Sequence, residues 1–201
     1  MDWLSTIVGA AIGFLASIGT MFVQRWIDKV GKLKLYCVTV RGDSTLDSIG
    51  FIKSNSEPGK ITFILPIKLE IQNTSNTTRV IRDVSMWLYN NGKPIKEMVQ
   101  VQSTVRNIKT NGVSKEKETL NYGGDKNMYS FVVPPRSIQR EHCSYILKIN
   151  ESETQDYFFN ETRLSYYDER DKKHVYAVRR FDNPWIPSRM NGDDTWFQLK
   201  E

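Results

Sequence analysis

From Trp3 to Val23 the chain runs about 21 residues (WLSTIVGAAIGFLASIGTMFV) without a charged side chain, and no other feature restricts its possible folds so severely. A helix of that length, at about 1.5 Å per residue, crosses a hydrocarbon core ~30 Å thick. Trp3 and Trp26 bracket it at the positions where indoles favour the headgroup layer. A cleaved signal peptide would need a basic leader and a small-x-small cleavage site. Met1-Asp2-Trp3 offers no basic leader, and Gln24-Arg25-Trp26 stands where cleavage should occur. The segment is therefore expected to be a retained, single-pass transmembrane helix.

Arg25, Lys29, Lys32 and Lys34 follow the apolar run closely, whereas only the terminal amine and Asp2 precede it. Basic residues accumulate on the cytoplasmic side of membrane helices, so the rest of the chain is expected in the cytoplasm, against the cell inner (plasma) membrane. Arg25, Lys29 and Lys32, with Trp3 and Trp26, form the expected membrane interface, and anionic lipid headgroups are the expected first partner. On that side of the membrane the Asn-x-Ser/Thr triplets at Asn73, Asn76, Asn150 and Asn160 carry no glycan. Along the helix, Ser5, Gly9, Gly13 and Ser17 recur every four residues as a ridge of small side chains. Such a ridge permits close helix approach and predicts a homo-oligomer through the membrane segment. Ser and Thr are too weakly polar a lining for a pore to be the favoured arrangement.

Beyond residue 31 the pattern changes to alternation. Leu33–Val40 and Lys60–Gln72 alternate as strands, with Ile67, Leu69 and Ile71 opposite Lys68, Glu70 and Gln72. Ile49–Ile52 pairs locally. Arg79–Tyr89 is a further strand, closed by Asn90-Asn91-Gly92, whose residues suit a tight turn, with Lys93–Gln102 as the returning partner. More strands are expected at Met128–Val133, Cys143–Ile149, Asp156–Phe159, Arg163–Tyr167 and Val175–Phe181, the last two joined by the charged loop DERDKK. Pro134-Pro135 belongs at a sheet edge or a crossover. Lys109–Asp125 has the composition of a loop, and the tail Asp182–Glu201 shows no strand periodicity. The expectation is a mainly β protein, an antiparallel Ig-like β-sandwich behind one transmembrane helix. Its parts are residues 1–31 (helix and basic flank), 32–181 (sandwich) and 182–201 (aromatic-rich tail).

Three stretches carry a resemblance. The strand, Asn/Ser/Thr-rich bend and "IRDV" strand in Ile67–Leu88 (IKLEIQNTSNTTRVIRDVSMWL), the PPRS of Pro134–Ser137, and the opening IGFLASIG…QRW are similar to uncharacterised membrane-anchored β-sandwich proteins of bacteria and their phages. The resemblance implies a fold and a bacterial setting, without an activity or functional residues.

The net charge of +5 raises the possibility of nucleic acid, but Lys and Arg are dispersed among Asp and Glu, and no basic stripe forms. No nucleic-acid partner is expected. The two cysteines, Cys37 and Cys143, lack metal or framework spacing and read as free buried thiols, although a bridge between them is geometrically possible. Only His142 and His174 are near-neutral acid-base groups. His142 and Cys143 are neighbours on one strand, so their side chains point to opposite faces. The acidic groups Gly123-Gly124-Asp125, Asp168/Glu169/Asp171 and Asp193-Asp194 suit a metal poorly, the middle set because Arg170, Lys172 and Lys173 interleave it. No catalytic residue, metal or cofactor is expected, and the chain is not expected to be an enzyme. The remaining candidate for a ligand or partner surface is the aromatic and arginine set Tyr176, Arg179, Arg180, Trp185, Arg189 and Trp196, with Phe197 beside it. The expected role is a non-enzymatic interaction or sensor module tethered at the cytoplasmic membrane face and binding an unknown protein or small molecule. The alternative is a membrane-acting effector, such as an antiphage or toxin component, whose helices cluster when the β domain senses a ligand.

Overall fold

The computed structural model describes residues 3–39, 49–53, 58–110, 113–122, 129–184 and 196–200. Helix α1 (Trp3–Lys29) is long and apolar enough to cross a membrane. Within its candidate span, Thr6–Ile27, the side chains are exposed rather than packed on the rest of the chain, as a lipid-facing helix requires.

The remainder is mainly β, in two antiparallel sheets. Strand β1 (Leu33–Thr39) follows the helix; β2 (Gly50–Lys53) and β3 (Lys60–Asn73) come next. Then come β4 (Arg79–Asn90), β5 (Lys93–Glu97), β6 (Val99–Thr110) and β7 (Val113–Tyr122). The series closes with β8 (Phe131–Val133), β9 (Ser137–Asn150), β10 (Glu161–Tyr167), β11 (Lys173–Arg180) and β12 (Phe197–Gln198). One sheet has the order β12-β1-β3-β9-β6-β7, with β2 also on β3; the other has the order β11-β10-β4-β5, with β8 on the start of β4.

The long central strand β3 contains Pro66, which cannot donate to a ladder. Its position explains the tolerance. β2 covers Ile61–Ile64 and β1 covers Ile67–Asn73 along one edge, so Pro66 falls in the gap between two partners. A second irregularity is Asp83, whose left-handed backbone (φ 55°) bulges β4 between Arg82 and Ser85, where its pairing with β10 shifts register. Short polar residues are among the few that tolerate this conformation.

The sheets pack across one core. Cys37, Phe63, Leu65, Ile67, Leu69, Ile71, Tyr145 and Leu147 from the larger sheet meet Ile81, Val84, Met86, Leu88, Leu164 and Tyr166 from the smaller. Phe63, Phe159 and Phe181 contact one another edge to face, with ring centroids 5.0–5.7 Å apart. Phe159 contributes from outside the strands: in place of the expected strand at Asp156–Phe159, the turn that follows a one-turn 3-10 helix (Glu151–Glu153) ends at Tyr157 and an irregular link carries Phe158 and Phe159. Aromatic burial in this short stretch imitates a strand pattern.

Three further expectations are corrected. Lys93–Gln102 does not return as one strand: pairing with β4 ends at Glu97, the Met98 N–H donates to the Met86 carbonyl, and β6 joins the other sheet beside β9. The loop composition of Lys109–Asp125 hides β7, which pairs with β6 from Val101↔Tyr122 to Thr110↔Val113. The tail is not wholly irregular, because β12 adds to the edge of β1. Conversely, the charged hairpin between β10 and β11 and the turn at Asn91-Gly92 (φ 49° and 79°) form as expected.

Candidate functional site

A tightly built polar cluster lies where the helix meets the sheets. α1 ends as the Val30 N–H reaches the carbonyls of Trp26 and Ile27. Gly31 follows with φ 133°, and a Cβ there would lie 2.5 Å from Ser75 Cα. Only glycine permits both that backbone and that approach. Lys32 then locks onto the β3–β4 bend: its N–H donates to Thr74 Oγ1 at 2.8 Å, and its carbonyl accepts from the Thr74 N–H at 3.1 Å and hydroxyl at 2.9 Å.

The bend is itself held from inside. Asn73, 2% exposed, donates from Nδ2 to the carbonyls of Thr77, Val133 and Pro134, while its Oδ1 accepts from the N–H and hydroxyl of Ser75. The Ser75 carbonyl accepts from the Arg136 N–H at 3.1 Å, and Arg136 Nε donates to Asn76 Oδ1 at 2.5 Å. Arg79 reaches both Ser75 Oγ and the Glu169 carboxylate. One end of the double sheet, formed by the 73–78 bend, the Pro134–Ser137 turn and the 168–172 hairpin tip, is thus coupled to the base of the helix. Sequence reasoning treats NTSNTT as a polar connection. The signal it carries is the capacity of Asn and Ser to hydrogen-bond backbone two to four residues away.

The hairpin tip turns around Asp168. Its carboxylate accepts from the N–H groups of Arg170 and Lys172 and lies 3.1 Å from His174 Nε2. Burial raises its pKa, but the His174 contact and the two backbone N–H groups outweigh that and hold it below the usual carboxylate value. Glu169 pairs with Arg79 and Asp171 with Arg82, so all three carboxylates of the tip are engaged within the protein. Among the described residues no group of three His, Cys, Asp or Glu side chains is placed to hold a metal. Gly123-Gly124-Asp125 and Asp193-Asp194 lie outside them.

The described members of the aromatic and arginine set fall on both sheets. Tyr176 belongs to a stacked row with His174 and Tyr166 on β10–β11. Arg179 donates to Thr39 Oγ1 and lies over Phe181. Arg180 extends into solvent 3.8 Å from Glu161. Trp196 is elsewhere, with the Arg140 guanidinium 6.0 Å from its ring. Trp185 and Arg189 lie outside the described residues. Arg140 also pairs with Glu70, whose pKa is lowered chiefly by hydrogen bonds from Gln72 and Arg140.

Along the helix, Trp3 and Trp26 are each 70% exposed, and Arg25 and Lys32 are exposed too. Nothing lies within 4 Å of where a Cβ would stand on Gly9 or Gly13, and the Ser17 hydroxyl donates to the Gly13 carbonyl. The side chains of Ser5 and Lys29 lie outside the described ones.

His142 is exposed while Cys143 is buried, on opposite faces of β9. Cys37 and Cys143 are both free. Burial pushes the Cys37 thiol up to about 12 and the Cys143 thiol up as well. Tyr129, also pushed up by burial to about 12, and Tyr145 spend their hydroxyls on the carbonyls of Val101 and Val84. These groups are structural: each is protonated at neutral pH and faces the core.

No family model matches the chain, and no curated protein matches it. Two solved structures show faint similarity. Structural-genomics target SoR45 is 9% identical, with a TM-score of 0.30, covering 82% of this chain and 92% of its own. A Bordetella pertussis protein with the provisional name ApaA, target BeR40, is 10% identical, with a TM-score of 0.32, covering 78% and 95%. Likeness at this level carries no argument about function.

Proposed function

We propose that the chain is a membrane-tethered, non-enzymatic binding or sensor module, which holds an Ig-like β-sandwich at the cytoplasmic face of a bacterial inner membrane. The observation that carries this reading is the pairing of an apolar helix whose side chains are left exposed with a close-packed joint at Gly31. A helix bound for removal has no use for such a joint. The basic residues Arg25, Lys29 and Lys32 favour the cytoplasmic orientation.

The test is extraction and protection. The full chain is expected to stay in membranes through carbonate washing, while a chain beginning at Lys32 is released, and protease is expected to digest the β domain only from the cytoplasmic side. A mature product lacking residues 1–23, or digestion from the opposite side, would overturn the reading. The second reading, a membrane-acting effector whose helices cluster on ligand sensing, is favoured by the unobstructed surface over Gly9 and Gly13.

A further inference from the structure

The helix-proximal end of the sandwich has exposed apolar groups that its own packing does not use. Val132 and Ile138 are each 62% exposed, although they flank the buried Val133 and the half-buried Ser137 and Gln139. Between them Pro134, Pro135 and Arg136 form an exposed tip, with Arg136 in the left-handed region (φ 49°), which holds the turn in a sharp reversal. Apolar side chains beside a basic one suit the boundary between headgroups and acyl chains.

The position of the tip identifies what it meets. Gly31 is four residues beyond Ile27, the end of the candidate span, or ~6 Å further along the helix axis. The headgroup layer on one side of a bilayer is ~5–8 Å deep, so the joint lies within it. From the joint, contact runs without a break through Ser75 to the Arg136 backbone N–H. The neighbouring carboxylates Glu169 and Asp171 are paired with Arg79 and Arg82, and Lys32 is exposed beside the joint, so the end presents Arg136 and Lys32 as cations. Such a surface complements anionic lipid.

The geometry points to a second membrane contact: the β8–β9 turn, Val132 to Ile138, rests tip-first in the anionic headgroup layer beside the helix and sets the tilt of the sandwich. This rests on the reading that α1 crosses the membrane. Arg136 supplies the lipid attraction, and the Pro134-Pro135 tip with its apolar flanks supplies the insertion. The domain then stands upright, with its opposite end, around Gly59, Asn91 and Phe158, directed away from the lipid.

The test uses the full chain in vesicles of phosphatidylcholine alone or mixed with phosphatidylglycerol. A fluorophore is attached to Pro135→Cys, Ile138→Cys, Phe158→Cys or Phe14→Cys and quenched with spin-labelled lipid. The native thiols are buried, and the unsubstituted chain, which should take up no fluorophore, controls for them. The expected result is quenching at residues 14, 135 and 138 but not at 158, stronger when phosphatidylglycerol is present. Arg136→Asn, which accepts the same backbone, is expected to lower the docked-to-free ratio about fivefold. Quenching at residue 14 with none at 135 or 138, or equal quenching at 158, overturns the second contact and leaves the tether standing. An unquenched residue 14 overturns both.

Discussion

At the scale of single residues, the positions that matter most here are small and polar. Gly31 is the clearest. Alanine there would need both a left-sided φ and a Cβ 2.5 Å from Ser75 Cα, a backbone atom that cannot swing aside. Gly31→Ala is expected to destabilise the chain by roughly 2–4 kcal/mol, read by denaturant unfolding of the detergent-solubilised protein. Gly59→Ala is the control: φ is also positive (80°), but nothing lies within 4 Å, so only the backbone cost of about 1 kcal/mol applies. Equal losses at the two sites would mean that the close approach to Ser75 contributes nothing. Neither consequence can be read from the local sequence, because the atom that Gly31 must avoid is 44 positions away in the chain.

At the scale of elements, legibility tracked how strongly a segment's own pattern expresses its surroundings. The helix was legible because an uncharged run longer than a bilayer core has few alternatives. β3 and β4 were legible by alternation, and the β10–β11 hairpin by its charged tip. β7 is not: VSKEKETLNY is too polar to stand out as a strand, although Asn111-Gly112 between two polar runs is a hairpin signal. The Asp156–Phe159 stretch misleads the other way, since Phe159 is buried from an irregular link. The clustering prediction belongs at this scale as well. Gly9→Leu combined with Gly13→Leu is expected to convert a helix-dependent oligomer to monomer in detergent light scattering, and to abolish toxicity on overexpression if the effector reading holds. An unchanged mass, or a chain that is already monomeric, would remove that reading. The sandwich should fold normally in this variant, because the glycines contact none of it.

At the scale of the whole molecule, the two sheets share a core, while their outer ends are fastened by ionised groups, and acid should expose the second kind of stabilisation. Glu70 and Asp168 both have pKa values below those of free carboxyls. A carboxyl with a depressed folded pKa contributes stability that is fully present above the unfolded value, ~4, and is lost as pH falls through the folded value. The melting temperature of the full chain is therefore expected to hold from neutrality to about pH 5 and to fall below pH 4. Glu70→Gln and Asp168→Asn should each lower the plateau and flatten the acid limb; an acid limb identical to that of the unsubstituted chain would show that neither group is coupled to folding.

Hydrophobic period alone was enough to establish an apolar helix and a mainly β, antiparallel domain behind it, because these properties depend on neighbours within a few residues. The fastening of the helix to the 73–78 bend, the gap that admits Pro66, and the separation of Tyr176, Arg179 and Arg180 from Trp196 depend on strands far apart in sequence. Such contacts leave no periodic trace in the segments that make them, so they became visible only when the sheets were assembled.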